Sequence, residues 1–240
     1  MSDPLDQFRS AWNKKPLLRR VYNDIYDRIA AVCVEGTTLE IGGGIGQFKM
    51  RFPSVIATDI QSAPWLDLVT DAQNLPFAAG SIANIVMVDV LHHIEFPLLF
   101  LQEAERVLRQ GGRLIMVEPA ITWGSGLFYR LFHHEPVRMS ADPLTVGKPD
   151  AMRDPYESNQ AIPTLLVCRE RERLAKLLPS LRSIQTDWFS LWVYPLSGGF
   201  KSWSLLSDRA GSLILALEKK FEPVFGRFLA FRLLMTMEKQ

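Results

Sequence analysis

Between Leu17 and Val34, apolar residues return every three or four positions, at Leu18, Val21, Ile25, Ile29 and Val32, with arginines and aspartates between them. That spacing predicts a helix with one buried stripe, stopped by Gly36. The period then changes. Thr37 to Ile41, Ser54 to Ile60 and Leu66 to Asp71 are short β-rich runs separated by glycine, proline or polar turns. Ile82 to Val90 is almost continuously apolar, as expected of a strand buried on both faces of a parallel sheet. After Pro97, the residues Phe100, Leu101, Ala104, Val107 and Leu108 form a helical stripe opposite Glu103, Glu105, Arg106 and Arg109. Gly111-Gly112 ends that stripe, and Arg113 to Glu118 restores a strand. Strand, helix and strand at this spacing make a crossover unit, so the sheet is expected to be parallel here.

From 120 to 168 the rhythm is lost among prolines and adjacent histidines, which predicts an inserted lid over the sheet's edge. Arg169 to Leu178 resumes as an amphipathic helix, and Leu181 to Val193 reads as a strand. A Pro-Leu-Ser-Gly-Gly turn, a helix around Leu213 to Phe221 and a strand from Phe231 to Glu238 complete the chain. The expectation is one α/β domain over 1–240, its mostly parallel sheet of seven strands flanked by helices. Residues 17–119 form one half, 120–168 the insert, and 169–240 the C-terminal half with an extra helix.

Composition narrows the partners. Lysine and arginine total 27 against 26 acids, a net charge of +1, so no overall field gathers a polyanion and nucleic acid is not expected. Cys33 and Cys168 stand far apart with no histidines at finger-like spacing, which predicts neither a disulfide nor a metal site. The charged N-terminus lacks a secretory apolar core, and no run approaches a membrane span. A cytoplasmic location follows as the expectation.

The most informative segment is Leu39-Glu40-Ile41-Gly42-Gly43-Gly44-Ile45-Gly46, a strand running into glycines whose backbone can approach a ligand closely. Glu40 precedes the first glycine by two places. A carboxylate there would repel a pyrophosphate but attract an ammonium, and the glycine spacing is not that of a nicotinamide enzyme. Asp59 ends the next strand, where a carboxylate can accept from both ribose hydroxyls. From about Thr37 to Glu118 the chain resembles the class I S-adenosylmethionine-dependent methyltransferases, the broad group that includes quinone C-methyltransferases and many small-molecule enzymes. The resemblance implies a Rossmann-like fold and S-adenosyl-L-methionine as cofactor. It also implies that Glu40, Gly42, Gly43, Gly44 and Gly46 hold the methionine portion, that Asp59 binds ribose and that Ile60 packs on adenine. Asp71 and the Ala72 amide would meet the adenine amine. Asp89 and Val90, with His92 and His93, would lie near the methionyl group and the acceptor, and Arg109 to Leu114 resembles the family's turn before the fifth strand.

Methyl transfer from a sulfonium requires chiefly alignment and exclusion of water, with a general base for an oxygen or carbon nucleophile. His92 and His93 follow the buried fourth strand, so they are candidates for that base or for shaping the pocket. His133, beside His134 and Glu135 in the insert, is a second candidate, and Glu118 could orient substrate or cap the following turn. Large apolar residues including Trp123, Phe128, Tyr129, Phe132, Trp188, Phe189, Trp192, Tyr194 and Trp203 could line a pocket for a lipid-like acceptor or build core. The helix near Leu213, Leu217 and Phe221, with Lys219, Lys220, Arg227 and Arg232, could touch an anionic membrane surface. Glu218 and Glu222 dilute that basic face, so packing over the sheet is the expectation. The functional expectation is methyl transfer to a small-molecule or lipid-like acceptor at oxygen, nitrogen or activated carbon. The alternative is a cofactor-binding regulatory or assembly protein without transferase activity.

Overall fold

A computed structural model describes residues 4–132 and 135–240. Two helices, α1 (Pro4–Lys14) and α2 (Pro16–Val32), precede β1 (Thr38–Ile41), the short α3 (Gln47–Arg51), β2 (Ile56–Asp59), β3 (Leu68–Val69) and β4 (Ile82–Val88). A 3₁₀ turn at Leu91–His93, α4 (Pro97–Val107), β5 (Leu108–Pro119) and α5 (Trp123–Phe132) follow. The C-terminal half comprises α6 (Ile162–Cys168), α7 (Arg171–Leu177), β6 (Leu181–Phe189), α8 (Val193–Ser197), α9 (Asp208–Leu229) and β7 (Arg232–Lys239).

The seven strands form one sheet in the order β3-β2-β1-β4-β5-β7-β6. The first five pair in parallel, and β7 inserts antiparallel between β5 and β6. From β1 the chain builds outward one way through β2 and β3, then returns to build the other way from β4. The carboxyl ends of β1 and β4 therefore flank a switch point, where an open α/β sheet leaves a crevice.

The apolar run over β4 is buried on both faces, as its sequence requires. Ile85 and Met87 pack with Leu114 and Met116 against Phe100, Leu101 and Ala104 of α4. Val86, with Ile115 and Val117, packs against Leu18, Ile25 and Ile29 of α2 on the other face. The strand stops at Val88 rather than Val90 because Asp89 takes a left-handed φ of 60°. β6 likewise stops at Phe189, before Ser190 at φ 59°.

The insert is more ordered than its prolines predict: it holds α5 and α6, with Pro163 in the first turn of α6, where the missing N–H costs nothing. The larger departure is α9. It runs for 22 residues, and Leu213, Leu217 and Phe221 point to solvent rather than over the sheet. Among the described residues, no helix is long and apolar enough to cross a membrane.

Candidate active site

The turn after β1 lies open at the switch point. Gly43 N–H donates to Thr58 O (2.8 Å) and Gly46 N–H to Gly43 O (2.7 Å), so the loop is tied to β2 and to itself. Gly42 has φ +72°, and a Cβ there would meet Val90 Cγ2 at 2.2 Å, so only glycine lets the turn pass beneath Val90. At Gly44, φ is +48° and a Cβ would meet nothing nearer than Gly42 O at 3.9 Å. Asp59, at the end of β2, faces this turn: its Oδ2 accepts from Gly44 N (2.9 Å) and its Oδ1 from Gln61 N (3.0 Å). Gly42, Gly43, Gly44, Asp59, Ile60, Asp71 and Ala72 all border one cavity of about 2150 Å³, whereas Gly46 lies behind it as the N-cap of α3. Asp71 closes its own turn by accepting from Gln73 N at 2.8 Å.

Glu40 reaches the same cavity at 7% exposure, and its Oε2 is buried without a hydrogen-bond partner. Burial, reinforced by the charge of Asp59, pushes its carboxyl up to about 8. An orphaned carboxylate oxygen beside a glycine cradle suits a ligand that brings a cation, as the amino-acid end of S-adenosyl-L-methionine does.

Beyond β4, a buried carboxylate organises the histidines. Glu118, at the end of β5, accepts from Val90 N (2.9 Å) and Leu91 N (2.7 Å) through Oε1 and pairs with His92 Nδ1 (2.6 Å) through Oε2. It thus caps the 3₁₀ turn of the neighbouring strand, not the turn that follows it in sequence. His92 Nε2 lies 3.6 Å from Glu135 Oε2, and Glu135 is held by Ser158 Oγ (2.9 Å) and Gln160. Burial opposes charge on His92, but the two carboxylates outweigh it and lift His92 to about 9. Burial, then the charge of His92, drives His93 down to about 4, and His93 Nδ1 has no partner. Ligand-capable atoms of His92, His93 and Glu135 lie within 4.8 Å of one another. His133 lies outside the described residues.

Asp89 pairs with Arg232 of β7 and accepts from Tyr22 OH (3.2 Å). Arg232 is 2% exposed and lies under Tyr194, its guanidinium carbon 4.2 Å from the ring centroid. It borders the cavity, which removes it from the basic surface that the C-terminal helix could have offered a membrane. Arg232 and Tyr22 give no signal in the sequence, because nothing local marks a strand-end arginine or a stripe tyrosine as facing a site. Of the large apolar residues, Phe128, Tyr129, Tyr194 and Trp203 border the cavity. Phe189 and Trp188 pack in the core clusters, and Trp123 is 83% exposed. The Phe132 side chain lies outside the described set.

Residues 39–116 match the family described as "Methyltransferase domain". No curated protein sequence matches the chain. Among solved structures, a SAM-dependent methyltransferase of Thermotoga maritima, a possible histamine N-methyltransferase, is similar with TM-score 0.55 and 17% identity, covering 93% of this chain and 92% of that one. A SAM-dependent methyltransferase of Archaeoglobus fulgidus gives 0.53 and 13%, covering 93% and 94%. The geranyl diphosphate C-methyltransferase of Streptomyces coelicolor A3(2) gives 0.51 and 12%, covering 92% and 82%. At such identities the structures speak for the fold, while the family match falls on the part of the sheet that carries the glycine turn, Asp59 and the histidines. Residues 39–116 are thus similar to the methyltransferase domain family, set within a fold shared with solved SAM-dependent methyltransferases.

Proposed function

We propose that the protein transfers the methyl group of S-adenosyl-L-methionine to a lipid-like small molecule, with His93 as the base that takes the acceptor's proton. The observation that carries the acceptor class is the cavity: its roughly 2150 Å³ exceeds the ~300–1,000 Å³ of an ordinary ligand cleft. One cofactor over the glycine turn leaves a second compartment walled by Phe128, Tyr129, Tyr194 and Trp203. A similar fold in Streptomyces coelicolor holds geranyl diphosphate, whose geranyl part is an apolar chain of the kind such a compartment suits.

In this reading Glu40 takes the cofactor's ammonium, the backbone from Gly42 to Ile45 passes around its methionine portion, and Asp59 takes its ribose. Ile60, Asp71 and the Ala72 amide surround adenine, and Asp89 and Val90 close the methionyl end. The cofactor supplies an electrophilic methyl on a sulfonium whose leaving group is neutral. His92, held cationic between Glu118 and Glu135, positions the turn. That leaves His93 neutral at working pH, with Nδ1 buried and without a hydrogen-bond partner. A weak base suffices, because the acceptor proton becomes acidic only as the new bond to carbon forms.

The test is calorimetry with S-adenosyl-L-homocysteine followed by transfer of labelled methyl to amphipathic alcohols, phenols and quinols. His93→Gln should lower kcat about 10²–10⁴-fold with cofactor affinity kept. Asp59→Ala should weaken cofactor binding by about 1.5–3 kcal/mol, the worth of charged hydrogen bonds. Tight cofactor binding with no transfer to any of these acceptors would favour the regulatory or assembly reading instead.

A further inference from the structure

The acids of α9 do not dilute its basic face. Glu218 is fully buried and accepts from Trp192 N (2.8 Å) and Val193 N (3.0 Å). Glu222 turns inward to Ser190 N (3.0 Å) and Arg28 (2.8 Å). Beyond Asp208 in its first turn, the solvent side of the helix is therefore free of acids. At about 100° per residue, Leu213, Leu217, Phe221, Val224, Phe225 and Phe228 fall in an arc of about 120°. All six are exposed, Leu213 and Phe228 at 63% each. Arg209, Lys220 and Arg227 run along one border of that arc with no carboxylate partner among the described residues.

The apolar face continues onto α5. Gly124 lies against Leu229 and the Phe228 carbonyl, so the two helices touch. On α5, Trp123, Leu127 and Leu131 are exposed, Arg130 is the one charge, and there is no acid. The opposite side of α5 carries Phe128 and Tyr129 into the cavity wall. A contiguous apolar surface edged with unpaired cations, rich in Phe and Trp, has the chemistry of a helix lying in the headgroup plane of an anionic bilayer.

We propose that the α5–α9 face binds the surface of an anionic phospholipid membrane, with the aromatic stripe entering the acyl boundary and Arg209, Lys220 and Arg227 meeting the headgroups. The attachment is peripheral, and it places the cavity one helix thickness from the lipid. It deepens the lipid-like acceptor reading, and its test is separable because it reads binding, not turnover.

The full chain is sedimented with vesicles of phosphatidylcholine, alone or mixed with phosphatidylglycerol, at low and high salt. The protein should pellet with the mixed vesicles, less with phosphatidylcholine alone, and less as salt rises. Lys220→Glu with Arg227→Glu should weaken binding about tenfold or more. Leu213→Glu with Phe228→Glu should abolish it, with thermal unfolding and S-adenosyl-L-homocysteine affinity unchanged because both sites are exposed. No pelleting on mixed vesicles at low salt overturns the proposal. So does a dimer in light scattering that the apolar variants dissolve while vesicles bind neither form. Loss of methyl transfer with vesicle binding intact would sink the acceptor reading and leave this one standing.

Discussion

Glu40 is the residue at which site geometry makes the sharpest claim. Its Oε2 has no partner, and its carboxyl sits at about 8 through burial and the nearby charge of Asp59. Below that value the free protein holds the neutral acid, and an ammonium is bound well only after the proton leaves. Affinity for S-adenosyl-L-homocysteine should therefore rise with pH, by up to about tenfold per unit below 8, and level off above it. Calorimetry in buffers of different ionisation enthalpy should show proton release, and Glu40→Gln should flatten the profile. A flat profile in the unaltered protein would take Glu40 away from the ammonium. Residue placements at the cavity were legible where chemistry and position coincide, as with Glu40 and Asp59. They were not legible at Glu118, whose function depends on a turn 26 residues away in sequence that parallel pairing of β4 with β5 brings alongside.

At the scale of elements, the turn between β1 and α3 invites a paired test. Gly42→Ala sets a Cβ against Val90 at a left-handed φ, so it should destabilise the domain, through overpacking of about 1–3 kcal/mol and further backbone strain. Gly44→Ala meets only the φ cost, about 1 kcal/mol, yet puts a methyl at the edge of the cavity. The first variant should lower Tm by several degrees; the second should keep most of its stability and lose cofactor affinity. Equal affinity in Gly44→Ala and the unaltered protein would mean that the turn does not contact the ligand. The strands that form this turn were readable because both faces of a parallel sheet are buried and leave apolar runs. α9 was misread for the opposite reason. A helix's acids are assumed to face water, whereas Glu218 and Glu222 face inward because the turn at Ser190, Trp192 and Val193 leaves backbone N–H groups to be satisfied.

Across the whole molecule, the expected α/β sheet is present, and what no sequence period could announce is how the chain's ends close over it. Lys15, between α1 and α2, shares the three N–H donors of its ammonium among the carbonyls of Ser197 (2.6 Å), Gly199 (2.6 Å), Lys201 (3.0 Å) and Trp203 (2.9 Å). Those residues span the end of α8 and the loop after it, and Gly198 to Trp203 border the cavity. The lysine fastens a cavity wall that has no regular hydrogen-bond ladder of its own, across more than 180 residues of chain. Lys15→Met keeps the aliphatic stem and removes the donors. Because the ammonium is partly in water, the loss should be near the lower end for charged hydrogen bonds, about 1.5 kcal/mol. In a domain of this size that corresponds to a fall in Tm of about 3–6 °C. The larger effect should be local: faster proteolysis between 197 and 207 and a raised KM for the acceptor, with affinity for S-adenosyl-L-homocysteine at the glycine turn preserved. If the loop is cut no faster and the acceptor KM is unmoved, that wall is held by its own packing and the lysine is not its latch.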